Sequence, residues 1–282
     1  MIMEIQIDGK AIYSAKGPAA EYGKVGCNFY IGCPLSCEYC YNKRGFTAKV
    51  LGGNEVTLKK CLKDEDNAIE IFFNEMRKHL DYLRENGVFF SFTTDPLIPE
   101  TIDLTISAMD LCIYNDIPVK LLTKNADFIS YDRMKLFLNS DHMKKLVSFG
   151  FTLTGRDDME PNASTNQERI ETMRTLHTRG CKTWASIEPV IDWESSRKVV
   201  EASLDCCDHY KIGLRSGVGR DYYNIGESAS ALNDLVLMID ESSRTVYLKN
   251  SAIKLLEKAY HPEYLKWLLS HTVDRDDNPL FV

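Results

Sequence analysis

Three cysteines stand close together in the first part of the chain, in a spacing typical of metal ligands. Cys33, Cys37 and Cys40 form a CxxxCxxC motif, and Gly32 and Pro34 beside the first cysteine favour a loop. Three thiolates can ligate three irons of a cubane cluster, which leaves the fourth iron without a protein ligand. An open metal position is characteristic of reactive rather than structural metal sites. The motif therefore predicts a reactive iron–sulfur centre.

Zinc is the alternative metal for this motif. Cys27 lies upstream of Cys33, so four cysteines could form a closed structural zinc site. Most four-cysteine zinc sites use two closely spaced pairs, and the interval between Cys27 and Cys33 is too wide for such a pair. Cys27 also falls inside a predicted strand. We therefore favour a cluster, and the alternatives are a structural zinc protein and an electron carrier without a cofactor site.

The bulk composition is that of an ordinary globular protein. The chain has 282 residues, of which 44% are hydrophobic and 27% are charged, and its net charge is −7. This acidic balance argues against a general nucleic-acid coat. We see neither a signal peptide nor a membrane-spanning run. Nine cysteines in a reducing compartment are typical of thiols or metal ligands, so we expect a cytoplasmic protein without a membrane partner.

Strand-like runs alternate with helical patterns along most of the chain. Strands are predicted over 26–31, 88–93, 118–124, 146–154, 182–190 and 209–214, with 245–249 as a seventh. A stripe of apolar residues predicts one helix over 69–83, which Gly87 ends. A second stripe predicts a helix over 102–113. Thr165 and Glu168 form a capping box that begins another helix.

Regular alternation of strands and helices implies βαβ units and a parallel sheet. We expect an α/β fold, a partial (β/α)6 TIM-like barrel with parallel strands over 24–217. Residues 1–23 are expected to form an N-terminal extension, and 218–282 a C-terminal helical extension that packs on the barrel. Reactive groups in such folds gather at the C-terminal ends of the strands, and the three cysteines follow the first predicted strand.

The wider sequence around the cysteines resembles a known family. Residues 28–41 read NFYIGCPLSCEYCY, and Tyr39 is the aromatic residue before the third cysteine. This string is similar to the cluster motif of the radical S-adenosylmethionine superfamily, in the N-x-Y-x-G-C…C-x-Y-C-Y form of the subgroup related to spore photoproduct lyase. The similarity extends over roughly Lys24 to Leu214, with weaker matches after the cluster motif.

The resemblance implies a [4Fe-4S] cluster whose open iron binds S-adenosylmethionine. It implies reductive cleavage of that cofactor to methionine and a 5′-deoxyadenosyl radical, which abstracts hydrogen from a substrate. It also implies an external electron donor such as flavodoxin or ferredoxin. Tyr39, beside the third cysteine, is a candidate cofactor contact.

Polar residues that follow the second and third predicted strands are candidate contacts for the methionyl end of the cofactor. Thr93, Thr94 and Asp95 resemble a stretch that lies beside the methionyl amino group in the related lyases, and are predicted to accept its hydrogen bonds. Lys124 is predicted to pair with the methionyl carboxylate. The structural alternatives are a turn or helix cap at 93–95 and a solvated lysine.

Later strands supply further candidates. Thr152 resembles a ribose-binding hydroxyl, with a core threonine as the alternative, and the backbone at Ile187 is expected to contact the adenine. Glu188 is ionisable in an apolar strand, so it is a candidate catalytic residue or the partner of Arg215 or Lys211 in an ion pair. Cations that could bind an anionic substrate group or the cofactor carboxylate are Lys211, Arg215 and Lys249.

The resemblance breaks at one position. The photoproduct lyases have a hydrogen-donating cysteine directly before the stretch that corresponds to 93–95, and this chain has Phe92 there. Photoproduct repair by the lyase route is therefore the less favoured function. Nucleic acid stays open as a partner without being favoured, and the sequence does not identify the substrate.

Overall fold

The computed structural model describes residues 5–45, 47–219 and 221–273, which form two compact units. The first comprises the described residues up to 149 together with 161–164, and the second comprises 150–160 and the described residues from 165 onward. Each unit contains parallel strands accompanied by helices. The α/β fold class expected from the sequence is therefore confirmed.

Short strands form the sheet of the first unit. They are β1 (Ile12–Ser14), β2 (Val25–Cys27), β3 (Tyr30–Ile31), β4 (Thr57–Leu58), β5 (Val88–Phe90) and β6 (Val119–Thr123). β2 pairs with β1 antiparallel and with β5 parallel, and β5 pairs with β6 parallel. β3 and β4 form a separate antiparallel ladder. A further strand, β7 (Val147–Thr152), contributes residues to both units.

The single strand predicted over 26–31 is wrong, because Asn28 separates β2 from β3. The Asn28 side chain donates to the Tyr13 hydroxyl at 2.7 Å and accepts from the backbone N–H of Phe92 at 2.8 Å. Its own backbone N–H donates to the carbonyl of Ala11 at 3.1 Å. A chain engaged in this way leaves the first sheet, so the residues before the cysteine motif pair with β4 instead.

Helices cover the sheet of the first unit. They are α1 (Ala48–Leu51), α2 (Glu65–Lys78), α3 (Leu80–Asn86), α4 (Ile102–Tyr114), α5 (Asp132–Phe137) and α6 (Asp141–Leu146). The predicted helix over 69–83 is two helices, because the backbone at His79 leaves the helical region at φ −123°. Gly87 ends α3 as expected. Phe72 of α2 is fully buried against Phe29 and Phe90, with ring centroids 5.8 and 6.2 Å away.

The second unit is built on three parallel strands, β8 (Lys182–Val190), β9 (His209–Leu214) and β10 (Thr245–Leu248). Their bounds confirm the strands predicted over 182–190 and 209–214 and the additional strand predicted near 245. Ile212 of β9 is opposite Ile187 of β8 and Leu248 of β10, and all three side chains are buried. This register brings the C-terminal ends of the strands to one edge.

The helices of the second unit include the predicted C-terminal ones. They are α7 (Asn166–Thr178), α8 (Trp193–Ser203), α9 (Ile225–Glu241), α10 (Asn250–Ala259) and α11 (Pro262–Leu269). α7 begins with the predicted capping box, in which Thr165 accepts from the backbone of Glu168 and donates its own backbone N–H to that carboxylate at 2.7 Å. Within the described ranges, no helix is both long and apolar enough to cross a membrane.

Candidate functional site

The cysteine loop begins where β3 ends, and Gly32 directs its first residue. Gly32 adopts φ +80°, and a side chain there would collide with the carbonyl oxygen of Glu55. The backbone N–H of Cys33 then donates to the carbonyl of Gly53 at 2.9 Å. The segment after α1 therefore supports the start of the loop, and only a glycine permits this close approach.

All three motif cysteines are reduced thiols on this loop. Cys37 is buried, whereas Cys33 and Cys40 are partly exposed. The backbone N–H of Cys40 donates to the carbonyl of Cys37 at 3.2 Å, and a 3-10 turn, Tyr41–Lys43, follows. This turn fixes the backbone between the second and third cysteines.

The surroundings of the Cys33 sulfur combine opposite influences. Burial and then the Asp95 carboxylate raise the pKa of the Cys33 thiol above its ordinary value. The backbone N–H groups of Leu35 and Asp95 and the ammonium of Lys124 oppose this rise, since each stabilises the thiolate. Hydrogen bonds to sulfur are among the factors that tune iron–sulfur clusters. The donor set at Cys33 therefore fits an iron ligand.

Across the described part of the chain, no three His, Cys, Asp or Glu side chains are gathered around a point where one metal ion would bind. Thiolates around one tetrahedral zinc lie about 3.8 Å apart, from zinc–sulfur bonds of about 2.3 Å. A cubane makes a different demand, because each of its cysteines ligates a different iron. Three reduced thiols on one loop are compatible with that demand.

Asp95 links the segment after β5 to the end of β6. Its carboxylate accepts hydrogen bonds from the backbone of Leu97 at 3.0 Å, from the Thr123 hydroxyl at 2.7 Å and from the backbone of Lys124 at 2.7 Å. Burial raises the pKa of Asp95, and these three donors oppose the rise. Oδ1 accepts from Leu97 and Thr123, whereas Oδ2 accepts from Lys124 alone among these three donors. Oδ2 can therefore accept a further hydrogen bond from a ligand amine.

The two threonines before Asp95 have different surroundings. The Thr93 hydroxyl donates to the carbonyl of Tyr30 at 2.5 Å, which ties this segment to β3. The Thr94 hydroxyl is buried without a hydrogen-bond partner, although the carbonyl of Thr94 accepts from Ser91 at 2.6 Å. An unpartnered buried hydroxyl costs about 1–3 kcal/mol. Thr94 is thus the residue of the pair whose hydroxyl a ligand would satisfy.

Lys124 and Tyr39, which are both predicted cofactor contacts, lie close together. The Lys124 ammonium lies over the Tyr39 ring, 5.6 Å from its centroid. Lys124 directly follows β6, and its backbone N–H donates to the Asp95 carboxylate. The first unit therefore brings Cys33, Tyr39, Asp95 and Lys124 into one neighbourhood.

Two asparagines that the sequence pattern did not single out connect the same segments. Asn42, directly after the motif, is buried and donates from Nδ2 to the carbonyl of Phe92 at 3.1 Å, while its Oδ1 has no partner. The Tyr41 hydroxyl donates to the same carbonyl. Asn28 binds the Phe92 backbone from the other side. Asn28 lies within the motif string 28–41, so the motif could have indicated its role, whereas no sequence pattern indicated Asn42.

Phe92 and Cys27 belong to the packing of the first unit. The Phe92 ring stacks on Phe89 at 4.5 Å between centroids, and a side chain at Gly26 would approach it within 2.7 Å. Cys27 is fully buried between β1 and β5, and burial raises its pKa far above the ordinary value. Cys27 therefore lies in the sheet, as the sequence predicts, and not in the cysteine loop.

In the second unit, Thr152 and Ile187 are both buried strand residues. The Thr152 carbonyl accepts a hydrogen bond at 2.5 Å from Arg169, which also pairs with Glu160. Ile187 lies in the middle of the β8 ladder. Their predicted roles toward ribose and adenine stay predictions.

Glu188 has an ion-pair partner that the sequence pattern did not indicate. Lys249 donates to the Glu188 carboxylate at 2.6 Å, whereas Arg215 or Lys211 was expected. Lys211 is buried between the rings of Trp184 and Tyr247. No sequence pattern indicated the Lys249 contact, because Lys249 becomes adjacent only through the pairing of β10 with β9.

No protein-family model matches this chain. An uncharacterized protein of Methanocaldococcus jannaschii, MJ0683, is 28% identical over 194 residues, which cover 64% of this chain and 65% of that protein. The chain thus matches just under two thirds of the relative's length.

Solved structures of Streptococcus suis SuiB share the fold. The form bound to S-adenosylmethionine has a TM-score of 0.51 at 13% identity, covering 77% of this chain and 44% of SuiB. The form bound to the precursor peptide SuiA has a TM-score of 0.56 at 13% identity, covering 82% and 49%. The chain corresponds to about half of SuiB, and at this identity the likeness concerns the fold.

Proposed function

We propose that this chain is a radical S-adenosylmethionine enzyme in which Cys33, Cys37 and Cys40 ligate a [4Fe-4S] cluster. Such a cluster, once reduced, supplies the electron that cleaves S-adenosylmethionine to methionine and a hydrogen-abstracting 5′-deoxyadenosyl radical. The observation that carries the proposal is the loop that bears three free cysteines, with Asp95 and Lys124 beside Cys33. Burial raises the pKa of the Cys33 thiol, and two backbone N–H groups and the Lys124 ammonium oppose that rise.

The residues around Cys33 suit the methionyl end of the cofactor. Lys124, beside Tyr39, offers a cation for the carboxylate. Asp95 and the unpartnered hydroxyl of Thr94 offer acceptors for the amino group, and Thr93 positions that segment through Tyr30. These assignments give the buried hydroxyl of Thr94 the partner that it lacks.

Two further assignments concern the second unit. Thr152 and Ile187 are proposed for the ribose and the adenine on the strength of the sequence resemblance. Glu188 and Arg215 are proposed as the polar residues that meet the substrate, because they are ionisable groups at the ends of β8 and β9. Each of these roles can be tested by substituting the residue.

The SuiB likeness supports the cofactor part of the proposal, since that fold accommodates S-adenosylmethionine in SuiB. SuiB also binds a precursor peptide, which makes peptides one substrate class worth testing here. We propose the cytoplasm as the compartment because a chain with nine cysteines and a metal-ligand motif is typical of a reducing environment. The electron would come from an external donor such as flavodoxin or ferredoxin.

The competing functions have less support. A closed four-cysteine zinc site would need Cys27, which is fully buried in a central strand. Photoproduct repair by the lyase route would need a hydrogen donor where Phe92 packs on Phe89. Nucleic acid therefore remains an unfavoured partner.

Cysteine substitutions test the cluster assignment. Anaerobic reconstitution of the wild-type chain with iron and sulfide should give a coloured protein with about four irons per chain. Cys33→Ala, Cys37→Ala and Cys40→Ala should each lose most of that iron, because a cubane with two protein ligands is poorly held. Cys27→Ala is the matched control and should keep it. Loss of iron in the control, or stoichiometric zinc in a colourless wild type, would overturn the proposal.

A further inference from the structure

Two asparagines hold the backbone of Phe92, and they differ in how much of the side chain is engaged. Asn28 accepts from the Phe92 N–H at 2.8 Å and donates from Nδ2 to the Tyr13 hydroxyl at 2.7 Å. Asn42 donates from Nδ2 to the Phe92 carbonyl at 3.1 Å, and its Oδ1 has no hydrogen-bond partner among the residues that the structure describes. Asn42 thus carries an acceptor that the packing of these residues leaves unused.

The unused atom of Asn42 is an oxygen and it is buried. A backbone carbonyl only accepts hydrogen bonds, so the amide nitrogen has to face Phe92 and the amide oxygen has to face away from it. Asn42 is only 5% exposed, so bulk water does not reach this oxygen freely. A buried polar atom without a partner costs about 1–3 kcal/mol. A bound ligand or a single internal water would remove that cost.

The backbone around Asn42 is fixed without any ligand. Asn42 is the central residue of the 3-10 turn that follows Cys40. The backbone N–H of Lys43 donates to the carbonyl of Cys40 at 3.2 Å, and that of Arg44 donates to the carbonyl of Tyr41 at 3.2 Å. The Tyr41 hydroxyl donates to the same Phe92 carbonyl as Asn42 does. The acceptor is therefore already oriented, and a ligand would bind it without the cost of ordering the side chain.

A second unpartnered atom belongs to the segment that Asn42 contacts. The Thr94 hydroxyl, two residues after Phe92, is buried and has no hydrogen-bond partner in the described part of the chain. Thr94 directly precedes Asp95, and Asn42 follows Tyr39 by three residues, so each lies beside a proposed cofactor contact. Buried polar groups in folded proteins nearly always have a partner. Two such atoms at one proposed site indicate a ligand with several hydrogen-bond donors.

The two ends of S-adenosylmethionine offer different donors. The amino group at the methionyl end already has Asp95 and Thr94 as its proposed acceptors. The nucleoside offers uncharged donors, which are the adenine amine and two ribose hydroxyls, and a neutral amide oxygen suits such donors. We propose that Oδ1 of Asn42 accepts a hydrogen bond from the nucleoside part of bound S-adenosylmethionine. This inference rests on the proposed function and adds a residue to its cofactor site.

Titration of the full chain with parts of the cofactor tests the assignment. S-adenosylmethionine, 5′-methylthioadenosine and methionine are titrated separately, with and without reconstituted iron, and binding is measured by calorimetry. Asn42→Ala should weaken binding of S-adenosylmethionine and of 5′-methylthioadenosine about tenfold and leave that of methionine unchanged. Analogues of 5′-methylthioadenosine that lack the amine, the 2′-hydroxyl or the 3′-hydroxyl identify the donor. The analogue without it should bind wild type as weakly as the complete nucleoside binds Asn42→Ala.

Tyr41→Phe is the matched control, because it removes the other side-chain donor to the Phe92 carbonyl. It should lower the Tm about as much as Asn42→Ala does and keep the wild-type affinity for the nucleoside. Equal losses of affinity in the two variants would overturn the proposal, because Asn42 would then act only by holding Phe92.

Other outcomes also contradict the role given to Asn42. Unchanged affinities in Asn42→Ala would leave an internal water as the partner of Oδ1, and a loss confined to methionine would assign this atom to the other end of the cofactor. If Asn42→Ala does not fold, the wild-type titrations decide: equal binding of all three analogues and the complete nucleoside, or no binding of any nucleoside, would overturn the proposal. A chain that holds four irons and forms 5′-deoxyadenosine but gives one of these results loses this inference alone, so its failure is distinguishable from failure of the proposed function.

Discussion

At the scale of single residues, backbone conformation matters as much as the thiols. Gly32 precedes Cys33 with φ +80° and no room for a side chain beside the carbonyl of Glu55. The backbone N–H of Cys33 then donates to the carbonyl of Gly53. The position of the Cys33 thiol therefore depends on Gly32, a residue that has no reactive side chain.

A pair of glycine substitutions separates conformation from collision. Gly180 has the same φ of +80°, but a methyl group added there would meet nothing within 4 Å, so Gly180→Ala should lower the free energy of unfolding by about 1–2 kcal/mol. Gly32→Ala adds the collision and should cost about 2–5 kcal/mol together with most of the bound iron. Urea denaturation and iron analysis measure both. Equal effects of the two variants would contradict the role given to Gly32.

Local signals explain which residues could be predicted from the sequence. The cysteine spacing and the polar residues after predicted strands identified Cys33, Asp95 and Lys124, and the structure brings these three together. The Asn42 contact with Phe92 and the Lys249 contact with Glu188 join residues 50 and 61 positions apart. Contacts over such separations depend on strand pairing, which a single sequence does not specify.

At the scale of elements, side-chain hydrogen bonds decided where strands end. β8 and β9 have the predicted bounds because their apolar runs coincide with the paired residues of the ladder, and β10 ends one residue before the predicted position 249. The first predicted strand was too long because Asn28 binds side chains and backbone outside the ladder. Apolar patterning alone continues across such a residue, so it overestimates the strand.

The Asp95 link between β5 and β6 gives an element-scale prediction. Thr123→Val keeps the shape of the side chain but removes the hydroxyl that donates to Asp95 at 2.7 Å and accepts from the backbone N–H of Asn125 at 2.9 Å. Hydrogen bonds to charged groups contribute about 1.5–3 kcal/mol, so the free energy of unfolding should fall by about that amount. Thr175→Val is the control, because it removes an exposed hydroxyl that donates to the backbone carbonyl of Glu171 within α7. A loss no larger than the control's, measured in urea, would show that Asp95 does not need this donor.

At the scale of the whole molecule, charge is unevenly distributed along the sequence. The net charge is −7, yet residues 41–63 contain six lysines and arginines and one glutamate. This segment directly follows the cysteine motif, and Tyr41 and Val50 within it are more than half exposed. An acidic electron-transfer protein would be attracted here and repelled by an average surface of this chain.

Charge reversal tests this asymmetry. Lys49→Glu, on exposed α1, should slow reduction of the reconstituted protein by reduced flavodoxin several-fold at low ionic strength. The difference should vanish near 1 M salt, where the Debye length is about 3 Å. Lys254→Glu on α10 changes the net charge equally and serves as the control. Equal slowing by both variants in stopped-flow measurements would assign the effect to net charge rather than to this segment.

The central claim is that the three-cysteine loop supports cleavage of S-adenosylmethionine, and product analysis tests it most directly. The anaerobically reconstituted chain is reduced with dithionite, incubated with S-adenosylmethionine and analysed for 5′-deoxyadenosine and methionine. We predict both products from the wild type, in equal amounts, and neither from Cys33→Ala. A reduced protein with a full complement of iron and sulfide that forms no 5′-deoxyadenosine would contradict the account and leave an electron carrier in its place.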